Sequence, residues 1–171
     1  DSQTNGCEWH ELLGMKNVKN RGISSDVIQG FIDRVDPIVE GQPAKVFILG
    51  GVNDISHDLT PDSLCTSMEK LIVKIKQGSP RTKIYLQSLL PIDNSFGRYR
   101  KMVGKEQVIV ETNRLYKEMA ERHGVTWIDL YSKMVDPATG SMRKGLTNDG
   151  LHLLGAGYLV WRDAVLPYVK K

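Results

Sequence analysis

The sequence is short of cysteine: Cys7 and Cys65 are the two it has. Their spacing fits neither a zinc site nor a redox pair, so partly buried free thiols are expected. Long apolar runs are missing too, since stretches such as VFILGGV from Val46 fall far short of a membrane span. The formal net charge is only +3 and no Lys/Arg block clusters strongly, so nucleic acid has no electrostatic footprint to bind. No glycine-rich phosphate loop follows a strand, which weighs against a nucleotide-binding domain. Gly155-Ala156-Gly157 is a lone GxG. The CEWHELL stretch looks like the start of a zinc helix, but HExxH needs a second histidine after His10 and position 14 is Gly14, so no metal is implied. No leader peptide is visible, and a chain that starts at Asp1 leaves its compartment open.

What is present reads as one domain over residues 1–171, with 40% hydrophobic and 25% charged residues, ordinary for a globular protein. Short β-like runs alternate with helical ones, which predicts an α/β fold around a parallel sheet. VKNRG, from Val18, is expected to be a short strand ending in a glycine turn. Ser24 or Ser25 is expected to cap a helix through SSDVIQGFIDRV. KVFILGGV, from Lys45, suits a strand buried on both faces. Thr60 and Pro61 begin a helix whose Leu64, Met68, Leu71, Ile72 and Ile75 share one face. KIYLQSLLP is the next strand, followed by a polar loop from Pro91 to about Gly104. A long amphipathic helix then runs to Gly124, VTWIDL makes a strand, and LLGAGYLVWRDAVLPYV closes the chain as a helix.

Four stretches carry candidate chemistry, and three sit at the C-terminal ends of expected strands, where open α/β sheets bind ligands. In NDGLH, Asp149 and His152 are three residues apart, so one turn can aim both side chains at one place. A carboxylate beside an imidazole fixes its tautomer and supports the charge it gains with a proton. A lone DxxH is more often a cap or a core histidine. Asn53, after two glycines, can donate its amide to a developing oxyanion, although Asn-Asp is also ordinary turn chemistry. Gly22 offers a backbone N–H or marks a plain turn, and Ser2 in DSQTNG is either a nucleophile or part of a frayed terminus.

Taken together and in this order, DSQTNG, NRG, Gly51-Val52-Asn53-Asp54 and Asp149-Gly150-Leu151-His152 resemble the blocks of the SGNH hydrolases, the GDSL esterase/lipase superfamily. DSQTNG matches the first block from its aspartate onward. NRGISSDVIQGF, the LLP after the KIYLQS run and DGLHL before the last helix are similar to the platelet-activating-factor acetylhydrolase α-subunit branch.

The resemblance implies a three-layer α/β/α sandwich with a flavodoxin-like parallel sheet of order 2-1-3-4-5. Its first, central strand would precede Asp1. It implies Ser2 as nucleophile, His152 as general base and Asp149 as its orienting carboxylate. The oxyanion hole would be formed by the N–H groups of Ser2 and Gly22 and the amide of Asn53. It further implies a serine esterase that needs no cofactor or metal and removes a short acyl group, acetyl first, from a small-molecule, glycan or lipid-like ester. An acyltransferase built on the same acyl-serine and a non-catalytic carbohydrate-binding relative are the alternatives. In such a fold a Cys7–Cys65 disulfide is disfavoured. Arg98, Arg100 and Lys101 in the Pro91–Gly104 loop read as a solvated face or as contacts for an anionic leaving group. Trp9 reads as a pocket wall or as helix packing, and His57 as a solvated loop residue.

Overall fold

The computed structural model describes residues 1–170. In chain order the helices and strands are α1 (Ser2–Asn5), α2 (Trp9–Leu13), α3 (Ile28–Asp33), α4 (Asp36–Glu40), β1 (Lys45–Ile48), α5 (Val52–Ser56), α6 (Pro61–Gly78), β2 (Lys83–Gln87), α7 (Glu106–Arg122), β3 (Thr126–Ile128), α8 (Tyr131–Met134) and α9 (Gly155–Val169). They fall into two compact units, each with its own set of contacts.

One unit, Val27–Leu89 with Gln107–Ile128, holds the sheet. Its strands are parallel in the order β1-β2-β3, with Lys45 opposite Lys83 and Tyr85 opposite Thr126. Four of the five β2 residues, Ile84 to Gln87, are buried, as the apolar run requires. Helix α6 starts at Pro61 after Thr60, whose hydroxyl accepts the Ser63 N–H at 3.2 Å. Its buried stripe is the expected one, Leu64, Met68, Leu71, Ile72 and Ile75, each contributing about 1.5–3 kcal/mol by leaving water. Helix α7 buries Ile109, Tyr116, Met119 and Ala120, and the Tyr116 hydroxyl donates to the Gly50 carbonyl at 3.1 Å just past β1.

The expected helix over Ser24–Val35 is shorter than its sequence suggests. It starts at Ile28 after Val27, and neither serine caps it. The Asp54 carboxylate, buried on α5, accepts the Ile28 N–H at 3.2 Å instead. A cap from 26 residues away has displaced the local one.

The other unit comprises Asp1–Asp26, Leu90–Glu106 and the chain from Asp129 onward. Its core is aromatic. Trp9 of α2 meets Trp161 and Tyr158 of α9 edge-on, with ring centroids 4.8 and 6.0 Å apart. Trp9 is buried and is therefore a helix-packing residue. The expected strand from Val18 to Gly22 does not form. Asn20 organises that stretch as a side-chain-held turn: its Oδ1 accepts the Gly22 N–H at 2.8 Å, and its Nδ2 donates to the carbonyls of Thr4, Asn5 and Cys7. The sheet of the described residues thus consists of the expected third, fourth and fifth strands, in the expected order. The strand expected before Asp1 lies outside the sequence. Cys7 and Cys65 are free thiols.

Candidate active site

Ser2 is the first residue of α1, a four-residue helix capped by Asp1, whose Oδ1 accepts the Gln3 N–H at 3.0 Å. As a first-turn residue, Ser2 has no intrahelical acceptor for its own N–H. The short helix is braced on several sides. The Tyr158 hydroxyl donates to the Gln3 carbonyl at 2.8 Å, and Trp9 Nε1 donates to the Thr4 carbonyl at 2.8 Å. The Gln3 side chain donates to the Leu151 carbonyl at 3.0 Å, which ties the residue after Ser2 to the residue before His152. Gly22 lies against the same helix so closely that a Cβ there would sit 2.5 Å from the Asn5 nitrogen and 2.8 Å from the Asp1 oxygen.

His152 reaches Ser2 across 150 residues of sequence: its Nε2 is 2.9 Å from Ser2 Oγ. The Asp149 carboxylate divides its work between two oxygens. Oδ1 accepts the backbone N–H groups of Leu151 and His152, both at 2.8 Å, and shapes the turn. Oδ2 accepts His152 Nδ1 at 2.7 Å and the Tyr99 hydroxyl at 2.9 Å. With the proton held on Nδ1, the Nε2 lone pair faces the serine hydroxyl. Burial raises the Asp149 pKa, but the Leu151 N–H, the His152 ring and N–H, and the Tyr99 hydroxyl outweigh it. They hold the carboxyl well below its usual range. Ser2 and His152 are half-buried, which leaves the serine–imidazole pair reachable from solvent.

The structure therefore brings Ser2, His152 and Asp149 into one hydrogen-bonded chain. Gly22 sits beside the serine helix, but its N–H is engaged by Asn20. Asn53 belongs to the sheet unit, in the first turn of α5, and its neighbour Asp54 is the buried cap of α3. His57 is exposed at the end of α5, and Arg98, Arg100 and Lys101 are exposed as well.

The profile of the GDSL-like Lipase/Acylhydrolase family matches residues 1–160. The chain belongs to this family. No curated protein sequence matches it. Among solved structures, a protein of Streptococcus pneumonia assigned as a platelet activating factor superposes with a TM-score of 0.88 at 29% identity, covering 99% of this chain and 80% of that one. An acylhydrolase of Bacteroides fragilis superposes with a TM-score of 0.87 at 23% identity, with coverage of 99% and 83%. A variant of the acetyl-xylooligosaccharide esterase Axe2 of Geobacillus Stearmophilus has the same fold at a TM-score of 0.72 and 18% identity, with coverage of 89% and 71%. A parallel sheet flanked by helices is thus the shared architecture. The chain stands among ester-cleaving acylhydrolases.

Two features of this GDSL-like acylhydrolase escaped the sequence reading. Tyr99 lies between the exposed Arg98 and Arg100, and the phenol, not either flanking cation, donates to Asp149. The Asn20–Gly22 turn had a readable signal in N-x-G, since Asn side chains bond the backbone two residues on.

Gly150, inside the DGLH turn, explains why that turn contains a glycine. Its φ is +89°, and a Cβ would overlap the carbonyl oxygen of Asp93, whose own N–H donates to the Gly150 carbonyl at 2.9 Å. Gly150→Ala must displace Asp149 from His152 or Asp93 from the turn. A misplacement near 1 Å costs roughly 10²-fold in rate. The variant is expected to keep its circular dichroism spectrum and lose about that much kcat/KM. Gly155→Ala is the control, since nothing lies within 4 Å of the added methyl. Near-wild-type turnover by Gly150→Ala would show that the turn does not set the geometry.

Proposed function

We propose that this chain is a serine esterase that removes a short acyl group, acetyl first, from a carbohydrate or lipid-like ester through an acyl-serine intermediate. The observation that carries this reading is the 2.9 Å approach of His152 Nε2 to Ser2 Oγ, with Asp149 fixing the other ring nitrogen. Serine is a poor nucleophile until a base lies within hydrogen-bond reach, and this distance supplies one.

In the reaction Ser2 Oγ attacks the ester carbonyl carbon while Nε2 takes its proton. The tetrahedral oxyanion is met by the Ser2 N–H at the start of α1. The resemblance adds the Gly22 N–H, shared with Asn20, as a further donor. Collapse breaks the carbon–oxygen bond to the alcohol, which leaves with the proton from Nε2. Water then attacks the acyl-serine, His152 takes the water proton and returns it to Ser2 Oγ, and the carboxylic acid departs. No step calls for a cofactor. The likeness in fold to an acetyl-xylooligosaccharide esterase supports the acetyl and carbohydrate assignments.

The test is a chain-length series of p-nitrophenyl acetate, butyrate and octanoate, together with covalent labelling by a fluorophosphonate and peptide mass spectrometry. Acetate is expected to exceed octanoate in kcat/KM by roughly ten-fold or more, with the label on the peptide containing Ser2. A label on another residue would remove Ser2 as nucleophile. Octanoate turned over faster than acetate would remove the short-acyl assignment.

A further inference from the structure

The Tyr99 hydroxyl occupies the one carboxylate oxygen that also holds the His152 ring. It donates to Asp149 Oδ2 at 2.9 Å and lies 3.0 Å from His152 Nδ1, which is itself 2.7 Å from Oδ2. The tyrosine ring stands edge-on to the imidazole, with centroids 5.8 Å apart and an angle of 65° between the planes. The segment that delivers it is tied at both ends. Asp93 N–H donates to the Gly150 carbonyl at 2.9 Å, inside the DGLH turn. Asn94 Nδ2 donates to the Met102 carbonyl at 3.1 Å and to Glu106 Oε1 at 2.6 Å, closing the segment on itself. Two 3-10 turns, Asn94–Phe96 and Arg100–Met102, flank Tyr99 within it.

We propose that Tyr99 is a positioning residue that sets how strongly Asp149 holds the His152 imidazolium, with Asp93–Glu106 as the strap that places it. The inference rests on the acyl-serine reading above. Two donors share Oδ2, and the phenol draws electron density from that oxygen whether or not the ring is charged. The imidazolium formed during catalysis therefore meets a weaker acceptor at Nδ1 and gives its Nε2 proton more readily to the departing oxygen, which is Ser2 Oγ when the acyl-serine is hydrolysed. Asp149 on its own turn and the Ser2 hydroxyl on α1 contact the His152 ring, and on the strap Tyr99 contacts it with Arg98 acting on the phenol. Burial and the Asp149 contact raise the Tyr99 pKa, so the phenol stays a donor throughout the working range.

Tyr99→Phe removes the hydroxyl and keeps the ring. The test compares wild type, Tyr99→Phe and Ser2→Ala on p-nitrophenyl acetate from about pH 5 to 9, with thermal unfolding of each. Without the phenol, Oδ2 is the stronger acceptor and binds the imidazolium more firmly. The acidic limb of kcat/KM is expected to move upward by roughly 0.5–1 pH unit. Plateau kcat should fall by about 2–10-fold, with KM and the unfolding midpoint unchanged. A limb that stays in place or moves downward, with turnover still dependent on Ser2, overturns the role of Tyr99 alone. Turnover by Ser2→Ala at the wild-type rate overturns the acyl-serine reading itself, and this inference with it.

Discussion

Ser2→Ala and His152→Ala are each expected to lower kcat for p-nitrophenyl acetate by on the order of 10⁶, and the double variant is expected to fall no further. The reason lies in the 2.9 Å contact between Oγ and Nε2. Without its base the hydroxyl keeps its proton, and without the hydroxyl the base has nothing to activate. Each loss therefore removes the same step. Independent contributions would instead multiply, taking the double variant far below either single one. What survives is the help given by oxyanion donors and binding, worth roughly 10³–10⁴ over water. Neither change threatens the fold. Ala is a good helix former at the first position of α1, and Asp1 still caps that helix through the Gln3 N–H. In His152→Ala the Asp149 Oδ1 keeps both backbone N–H partners, so the turn remains. A single variant losing less than about 100-fold, or a double falling well beyond both singles, would assign the nucleophile elsewhere.

The hydrogen-bonded chain of Ser2, His152 and Asp149 was legible in the sequence because its members sit in short local patterns. Asp149 and His152 are three residues apart, and the turn between them is closed by the aspartate's own bonds to Leu151 and His152 N–H. The α6 stripe was legible for a similar reason, since helical spacing and burial are both local properties. The failures came where a distant group won. Ser24 and Ser25 are good caps by residue type, yet α3 begins at Ile28 because Asp54 reaches its N–H from another element. Val18–Gly22 holds a single strong β-former, Val18, and the Asn20 amide, bonded to three carbonyls around α1, holds the segment as a turn. Tyr99 had no period, motif or neighbour to mark it. Its partner Asp149 is 50 residues further on and meets it only once the strap is folded.

Asp149→Asn is expected to lower kcat by on the order of 10⁴ with little change in KM or unfolding temperature. An asparagine has one oxygen and one NH₂ where the aspartate has two oxygens, and the surrounding donors decide which goes where. The Oδ1 position faces the N–H groups of Leu151 and His152 at 2.8 Å, so an NH₂ there would oppose two donors. The amide oxygen therefore stays at that end and keeps the turn, which is why stability is largely retained. The NH₂ is left at the Oδ2 position, facing the Tyr99 hydroxyl and His152 Nδ1. There it donates to Nδ1, which drives the ring proton to Nε2. The nitrogen facing Ser2 then carries a hydrogen, so it cannot accept the serine proton. The same substitution removes the negative charge that supports the imidazolium. Titration cannot produce this state at working pH, because the native carboxyl is held well below its usual range. Steady-state kinetics with p-nitrophenyl acetate, beside a melting curve, is the measurement. A loss under ten-fold would mean that Asp149 shapes the turn through Oδ1 and leaves the imidazole to orient itself.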